Sequence, residues 1–363
     1  MYGFEPTDEQ NMLIDAVRRY AEKDLRGAGH DADESGEFPP GLIEKGWELG
    51  VLQASVPEAY GGFGERSALT GVLAAEEMAW GDMAAALAVM TPATYAVPLL
   101  LAGTEEQKRS LLPPVIEGEW QPYTAAFIEP DFDFYPGEMR TQATPSSGGY
   151  RLAGTKAMVP FADQARSLIV YAACDGRTQA FVVPAQAAGL RVQAREALLG
   201  LGALPLFRVE LDGVEVAGDS RLGGAQGHDP KPLLAAASVA VAGLAVGLSR
   251  AAYEYALAYA KDRIVFGTPV AQKQSIAFGL AEMAIEIEAI RLLVWEAAWL
   301  LDAGQDASRA AYLALTGAGD MAMMVTDRAV QYLGGHGYIR EHPVERWMRN
   351  GRGVPAFPGL AMV

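Results

Sequence analysis

Residues Leu233 to Arg263 run LLAAASVAVAGLAVGLSRAAYEYALAYAKDR, and this composition decides the fold class. The small residues Ala235–Ala237, Ala240, Ala242, Gly243, Ala245 and Gly247 let a second helix approach closely. The most apolar part, Leu233 to Leu248, is shorter than the roughly 20 apolar residues a bilayer span needs. A packed core helix is therefore expected here, and no membrane. Downstream, Gln274–Asp302 and Ala307–Leu333 are each long enough to serve as further helices of one bundle.

Upstream of the bundle the texture changes. From about Glu119 to Leu222, short apolar runs are separated by Gly, Pro and Asp. Tyr150–Leu152, Ser167–Ala173, Ala180–Val183 and Phe207–Leu211 read as strands, with turns at Ser146–Gly149, Asp175-Gly176 and Asp212-Gly213. Further upstream the signals are helical again. Thr7 with Gln10 and Thr104 with Gln107 have capping-box spacing, while Pro39-Pro40 and Pro57–Gly62 interrupt the helices. The expected architecture is α+β and multi-domain. It comprises a helical N-terminal domain over 1–118, a central β-barrel or sandwich over 119–222, and a C-terminal four-helix-bundle domain over 223–363.

Composition narrows the function. Half of the 363 residues are hydrophobic and a fifth are charged, enough for large cores in more than one domain. The formal charge of −16, with no Lys/Arg run, opposes nucleic-acid binding. A single cysteine, Cys174, allows no intrachain disulfide and agrees with a reducing cytoplasm. His30, His228, His336 and His342 lack ligand-type spacing, so no metal site is expected. The opening MYGFEPTDEQ has no leader pattern, and a cytoplasmic location is expected.

Several ordered motifs carry a resemblance. Arg263-Ile264-Val265-Phe266-Gly267, Gln274 and Leu280-Ala281-Glu282-Met283 are followed by Gln331-Tyr332-Leu333-Gly334-Gly335-His336-Gly337-Tyr338. Pro343-Val344-Glu345-Arg346 and Arg349 come next, and Pro57–Gly62 and Glu76-Glu77 lie in the N-terminal half. In this order they resemble the acyl-CoA dehydrogenase family. The resemblance implies a tetrameric flavoprotein, a dimer of dimers, that holds FAD at subunit interfaces and dehydrogenates an acyl thioester between its α and β carbons. It places Arg263, Phe266, Gln274, Gln331, Gly334 and Gly335 at the dinucleotide. A fixed guanidinium suits pyrophosphate oxygens, and paired glycines let backbone approach the cofactor.

The same resemblance exposes losses. Dehydrogenation needs a carboxylate base while hydride leaves for the flavin. The family's usual glutamate position falls on Pro358, and the alternative on a C-terminal helix falls near Ala237. No carboxylate occurs between Asp229 and Glu254, and helix capping is the expected role of Asp229. The family's Thr-Glu-Pro at the flavin ring corresponds to Ile128-Glu129-Pro130. Its Trp-x-Thr corresponds to Met158-Val159-Pro160, after Gly154–Lys156. Proline offers neither N–H nor hydroxyl. The chain stops at Val363, without the closing helix the family usually has.

Three functions remain open from sequence. The chain is an FAD-dependent dehydrogenase with an unusual pocket, a non-catalytic partner that completes FAD sites on an active subunit, or a repurposed acyl-thioester-binding scaffold. Heterotetramers of bacterial sterol side-chain degradation illustrate the second; fatty acid oxidation is the commoner setting. Expected partners are an acyl-CoA or acyl-carrier-protein thioester, a second acyl-CoA dehydrogenase subunit, and an electron-transfer flavoprotein as acceptor. Either a homo- or a hetero-oligomer fits, with the helical bundle as the main contact.

Overall fold

The computed structural model describes residues 5–363; Met1 to Phe4, within the stretch read for a leader, lie outside them. Helix α1 (Asp8–Tyr20) opens with the expected capping box. The Gln10 amide N–H donates to Thr7 Oγ1 at 3.2 Å, and the Thr7 N–H donates to Gln10 Oε1 at 2.9 Å. One π-helical turn, Ala21–Leu25, leads into α2 (Arg26–Ser35), which Gly36 ends at φ 75°. Short helices α3 (Leu42–Trp47) and α4 (Val51–Ala54) precede α5 (Ala68–Gly81), α6 (Met83–Met90) and α7 (Ala93–Ala102). Helix α6 is buried on every side, as its apolar sequence requires. Helix α8 (Glu105–Leu111), with the second capping box at Thr104, and α9 (Pro113–Ile116) complete the N-terminal domain.

The central domain is a mixed sheet, seven-stranded among the described residues. Its strands are β1 (Thr124–Ala126), β2 (Gln142–Ser146), β3 (Gly149–Pro160), β4 (Ser167–Cys174), β5 (Arg177–Pro184), β6 (Leu190–Arg195) and β7 (Leu206–Ala217). The order is β1-β4-β2-β3-β7-β6, with β5 paired to β4. A single pair, Gln142 with Ala173, joins the two halves. The sheet encloses its own apolar core, centred on Leu152, Val170, Phe181 and Val209. Strands β3 and β7 are much longer than their sequence fragments. Asp212-Gly213, expected as a turn, lies inside β7, where Gly213 has φ 67° and the pairing register shifts between Leu152 and Gly154. An Asp-Gly pair signals positive φ, which a bulge uses as readily as a hairpin.

The C-terminal domain is built on α10 (Lys231–Asp262), α11 (Gln274–Asp302), α12 (Ser308–Leu333) and α13 (Val344–Gly353), with a small hairpin of β8 (Ile264–Val265) and β9 (Thr268–Pro269) after α10. Helix α10 is long and apolar enough to cross a membrane, yet 83% of its most apolar window is buried in the protein. Its small residues have a clear use: a Cβ on Gly247 would strike the α5 backbone at Glu76. Beyond α13 the chain turns back into the core, and Phe357 and Gly359–Val363 are all buried.

Candidate functional site

Helix α10 ends at Arg263, and the β8–β9 hairpin follows at once. Its tip, Phe266 and Gly267, takes positive φ at both residues (53° and 77°). That geometry projects the Phe266 ring outward, 95% exposed. Arg263 is exposed, and its guanidinium has no protein partner among the described residues. Gln274 is the exposed first residue of α11, and Gln331 is exposed in the last turn of α12. Gly334 (φ 59°) and Gly335 follow; a Cβ on either would meet nothing within 4 Å. All six residues lie at one end of the bundle, and local contacts hold that end together. Tyr259 Oη on α10 stands 2.8 Å from His336 Nδ1 and 3.4 Å from the Leu333 carbonyl. Arg328 on α12 donates to the Gly279 carbonyl of α11 and pairs with Glu282 at 2.6 Å.

The histidines hold a feature that linear spacing hides. His336 and His342 stack with ring centroids 5.4 Å apart and planes 14° apart, and Tyr255 Oη lies 2.7 Å from His342 Nδ1. Six residues apart on an irregular turn, they carry no periodic signal. No cluster of three or more metal-ligating side chains occurs among the described residues.

The two positions onto which the resemblance places a base carry no acid side chain. Pro358 is half-buried in the returning segment, and Ala237 is buried inside α10. Asp229 is exposed, and its Oδ1 accepts from the Lys231 N–H at 3.1 Å, a helix-start role. Four buried carboxylates lie elsewhere, each with a cation. Glu76 meets Arg250 at 3.0 Å and Arg291 at 2.8 Å; Glu77 meets Arg18 at 2.8 Å and Arg250 at 2.7 Å. Burial pushes the Glu77 carboxyl upward, but hydrogen bonds from Arg250 and Arg18 outweigh it and hold the group below its ordinary value. Asp82 faces Arg346 at 3.7 Å, and its burial dominates, raising its pKa.

Glu129 is the fourth. It accepts from Lys156 Nζ at 2.9 Å and from the backbone N–H groups of Arg140 (2.7 Å) and Thr141 (2.8 Å). Burial brings the Lys156 ammonium down to about 8 despite that carboxylate. Thus Glu129 and Lys156 clamp β3 to the β1–β2 connection. Beside them, Ile128 offers no side-chain hydrogen bond. The Met158 N–H is spent on Glu196 Oε2 at 2.6 Å, and Val159 and Pro160 are buried without a donor side chain. Met158 and Phe161 hold positive φ (51° and 50°), a cost that the surrounding packing sustains.

A small apolar cavity of about 50 Å³ lies under α3–α7 and the returning segment. Trp47, Leu52, Met78, Met90, Met362 and Val363 line it, with Arg66 at its edge, and no carboxylate does.

Comparison with known proteins agrees with this anatomy. The acyl-CoA dehydrogenase N-terminal domain matches residues 7–119 and the acyl-CoA dehydrogenase C-terminal domain matches residues 232–360. A probable acyl-CoA dehydrogenase of Bacillus subtilis (strain 168) is 33% identical across 96% of this chain and 94% of its own length. Butyryl-CoA dehydrogenase from Megasphaera elsdenii superposes with a TM-score of 0.89 at 32% identity, covering 99% of this chain and 96% of that one. A glutaryl-CoA dehydrogenase from Mycobacterium smegmatis, solved in complex with FADH2, gives 0.87 at 26% identity over 98% and 92%. The chain belongs to the acyl-CoA dehydrogenase family.

Proposed function

We propose that this chain is a non-catalytic subunit of an acyl-thioester dehydrogenase, supplying the dinucleotide side of an FAD site to a neighbouring active subunit. The asymmetry between its two halves of a site carries the proposal. At the bundle end, an unpaired exposed arginine, an outward phenylalanine and two glycines with open space around them fit an FAD pyrophosphate and adenosine. Arg263, Phe266, Gln274, Gln331, Gly334 and Gly335 would hold that portion. The ring side does not fit. Ile128 has no side-chain donor and Pro160 neither N–H nor hydroxyl, the Met158 N–H is already bonded to Glu196, and Pro358 and Ala237 cannot take a proton. When bound, FAD would accept the substrate hydride at its ring, and the ring-side positions just named present no side-chain donor or base to orient a substrate against it. An acyl thioester, on coenzyme A or an acyl carrier protein, and an electron-transfer flavoprotein are then met by the active partner.

The test is an absorption spectrum of the purified chain alone and after co-expression with a complete family member. The expected chain is colourless alone and yellow in the complex, and Arg263→Met releases flavin from the complex without unfolding it. One flavin per chain in the isolated protein, bleached by an acyl-CoA, would overturn the proposal. Near full-length similarity to acyl-CoA dehydrogenases supports a second reading, turnover in this chain's own pocket, and that outcome would establish it.

A further inference from the structure

Tyr255 and Tyr259 stand one turn apart on the same face of α10, and each holds a histidine. Tyr255 Oη lies 2.7 Å from His342 Nδ1, and Tyr259 Oη lies 2.8 Å from His336 Nδ1. The two imidazoles are thereby stacked, with centroids 5.4 Å apart and planes 14° apart. Burial pushes the Tyr255 phenol upward, so at neutral pH it donates its proton to a neutral imidazole. On its other side the turn presses against α12, where a Cβ on Gly337 would fall 2.2 Å from the Val330 carbonyl. The turn Gly334–Tyr338 is thus pinned between α12 and two tyrosines, while Gly334 and Gly335 face open space.

Histidine changes charge between about pH 5 and 8. A first proton leaves the stack intact, because an imidazolium Nδ1–H can donate to the tyrosine oxygen. A second proton places two positive charges face to face, and the surroundings do not offset them. On α10, Glu254 is held by Trp80, and Lys261 and Asp262 are exposed to water. On α13, Glu345 and Arg346 are paired with Arg349 and Asp82, and the Trp347 ring packs 5.7 Å from Tyr255. From α2 comes a further cation, Arg26, 4.5 Å over Trp347, while Glu34 is taken by Arg340. At the end of α12 the Leu333 carbonyl receives Tyr259, and Glu341, beside His342, is exposed. Neither imidazole has a carboxylate partner among the described residues. Two such sites titrate as a coupled pair, the second proton against the charge of the first.

We propose that the His336–His342 stack is an acid-sensitive latch on the glycine turn: it holds one proton, and a second parts the rings and frees Gly334–Tyr338 from α10. Release of flavin on acidification rests on the shared-site reading above; the latch itself does not.

The experiment follows hydrogen exchange of the unaltered chain, without flavin or partner, at about pH 7.5 and 5.5 and corrected for intrinsic rates. Protection of the Gly334–Tyr338 amides falls about tenfold at the lower pH while the α5 amides stay protected. Nuclear magnetic resonance of the same chain shows His336 and His342 titrating in two separated steps. His342→Gln keeps a polar partner for Tyr255 but carries no second charge, so its turn stays protected at both pH values and His336 titrates in one step. Equal protection of the turn at both pH values in the unaltered chain overturns the latch, as does a folded His342→Gln chain that loses protection as the unaltered one does. Free flavin fluorescence of the complex is read at the same two pH values. A turn that opens in the chain alone, with flavin still held by the complex at pH 5.5, upholds the latch and counts against the shared site.

Discussion

The Tyr259 hydroxyl lies 2.8 Å from His336 Nδ1, which ties the last turn of α10 to the glycine turn that follows α12. Tyr259 also reaches the Leu333 carbonyl, so one side chain fixes both ends of the approach to Gly334 and Gly335. Tyr259→Phe removes these bonds and keeps the ring. A net hydrogen bond contributes about 0.5–1.5 kcal/mol. Flavin bound to the complex should therefore dissociate about 2–10-fold more readily, measured by the rise in free flavin fluorescence on dilution. Unfolding of the chain alone should be eased by no more than that same amount per bond lost. His336→Ala should act to the same extent, and the double variant no more than either single one.

The Glu76/Glu77 cluster makes a pH prediction. Glu77 has a folded-state pKa below its ordinary 4.5, because hydrogen bonds from Arg250 and Arg18 outweigh burial. Its contribution is fully present above 4.5 and is lost as pH falls through the lower folded value. Urea unfolding of the native chain should show stability falling as pH drops below about 4.5. Glu77→Gln should flatten part of that slope while lowering stability at pH 7.

Lys156 and Glu129 form a buried pair with side chains 0% and 2% exposed. Breaking such a pair strands a charge, at about 3–5 kcal/mol. Lys156→Met should cost about that much in urea unfolding. Glu129→Leu added to it should recover a large part, because no charge is then left behind. The recovery is incomplete, since the Arg140 and Thr141 N–H groups lose their acceptor.

These predictions differ in how much of their basis was legible in sequence. Helix α10 was legible because small residues recur along a long apolar run, which only close helix packing satisfies. Both capping boxes were legible because three-residue spacing of Thr and Gln has a single strong meaning. Asp212-Gly213 was not, since the same positive φ serves a turn or a bulge and only the pairing register decides. The Tyr–His contacts and the His336–His342 stack were hidden because they bring α10 against an irregular turn. The burial of Leu360–Val363 was hidden as well. Four apolar residues without period carry no sign of which cavity they enter.

The last prediction concerns Pro358, where a carboxylate would be needed for this chain to abstract a proton. Pro358→Glu restores the acid, and Gly359 beside it, at φ 84° and packed against Phe127, keeps the local turn. The acid alone should not restore chemistry, because three separate losses remain. Ile128 still has no side-chain donor for a flavin ring and Pro160 no donor at all, the Met158 N–H remains bonded to Glu196, and Leu360–Val363, next in the chain, remain buried. Orientation and electrostatic stabilisation contribute several powers of ten to such reactions, so a base without them adds little rate. The check is anaerobic bleaching of the complex by octanoyl-CoA, counted as flavin reduced per chain. The Pro358→Glu complex should match the unaltered one. A gain of one reduced flavin for each altered chain would show that the ring side of this pocket was intact and that only the base had been lost.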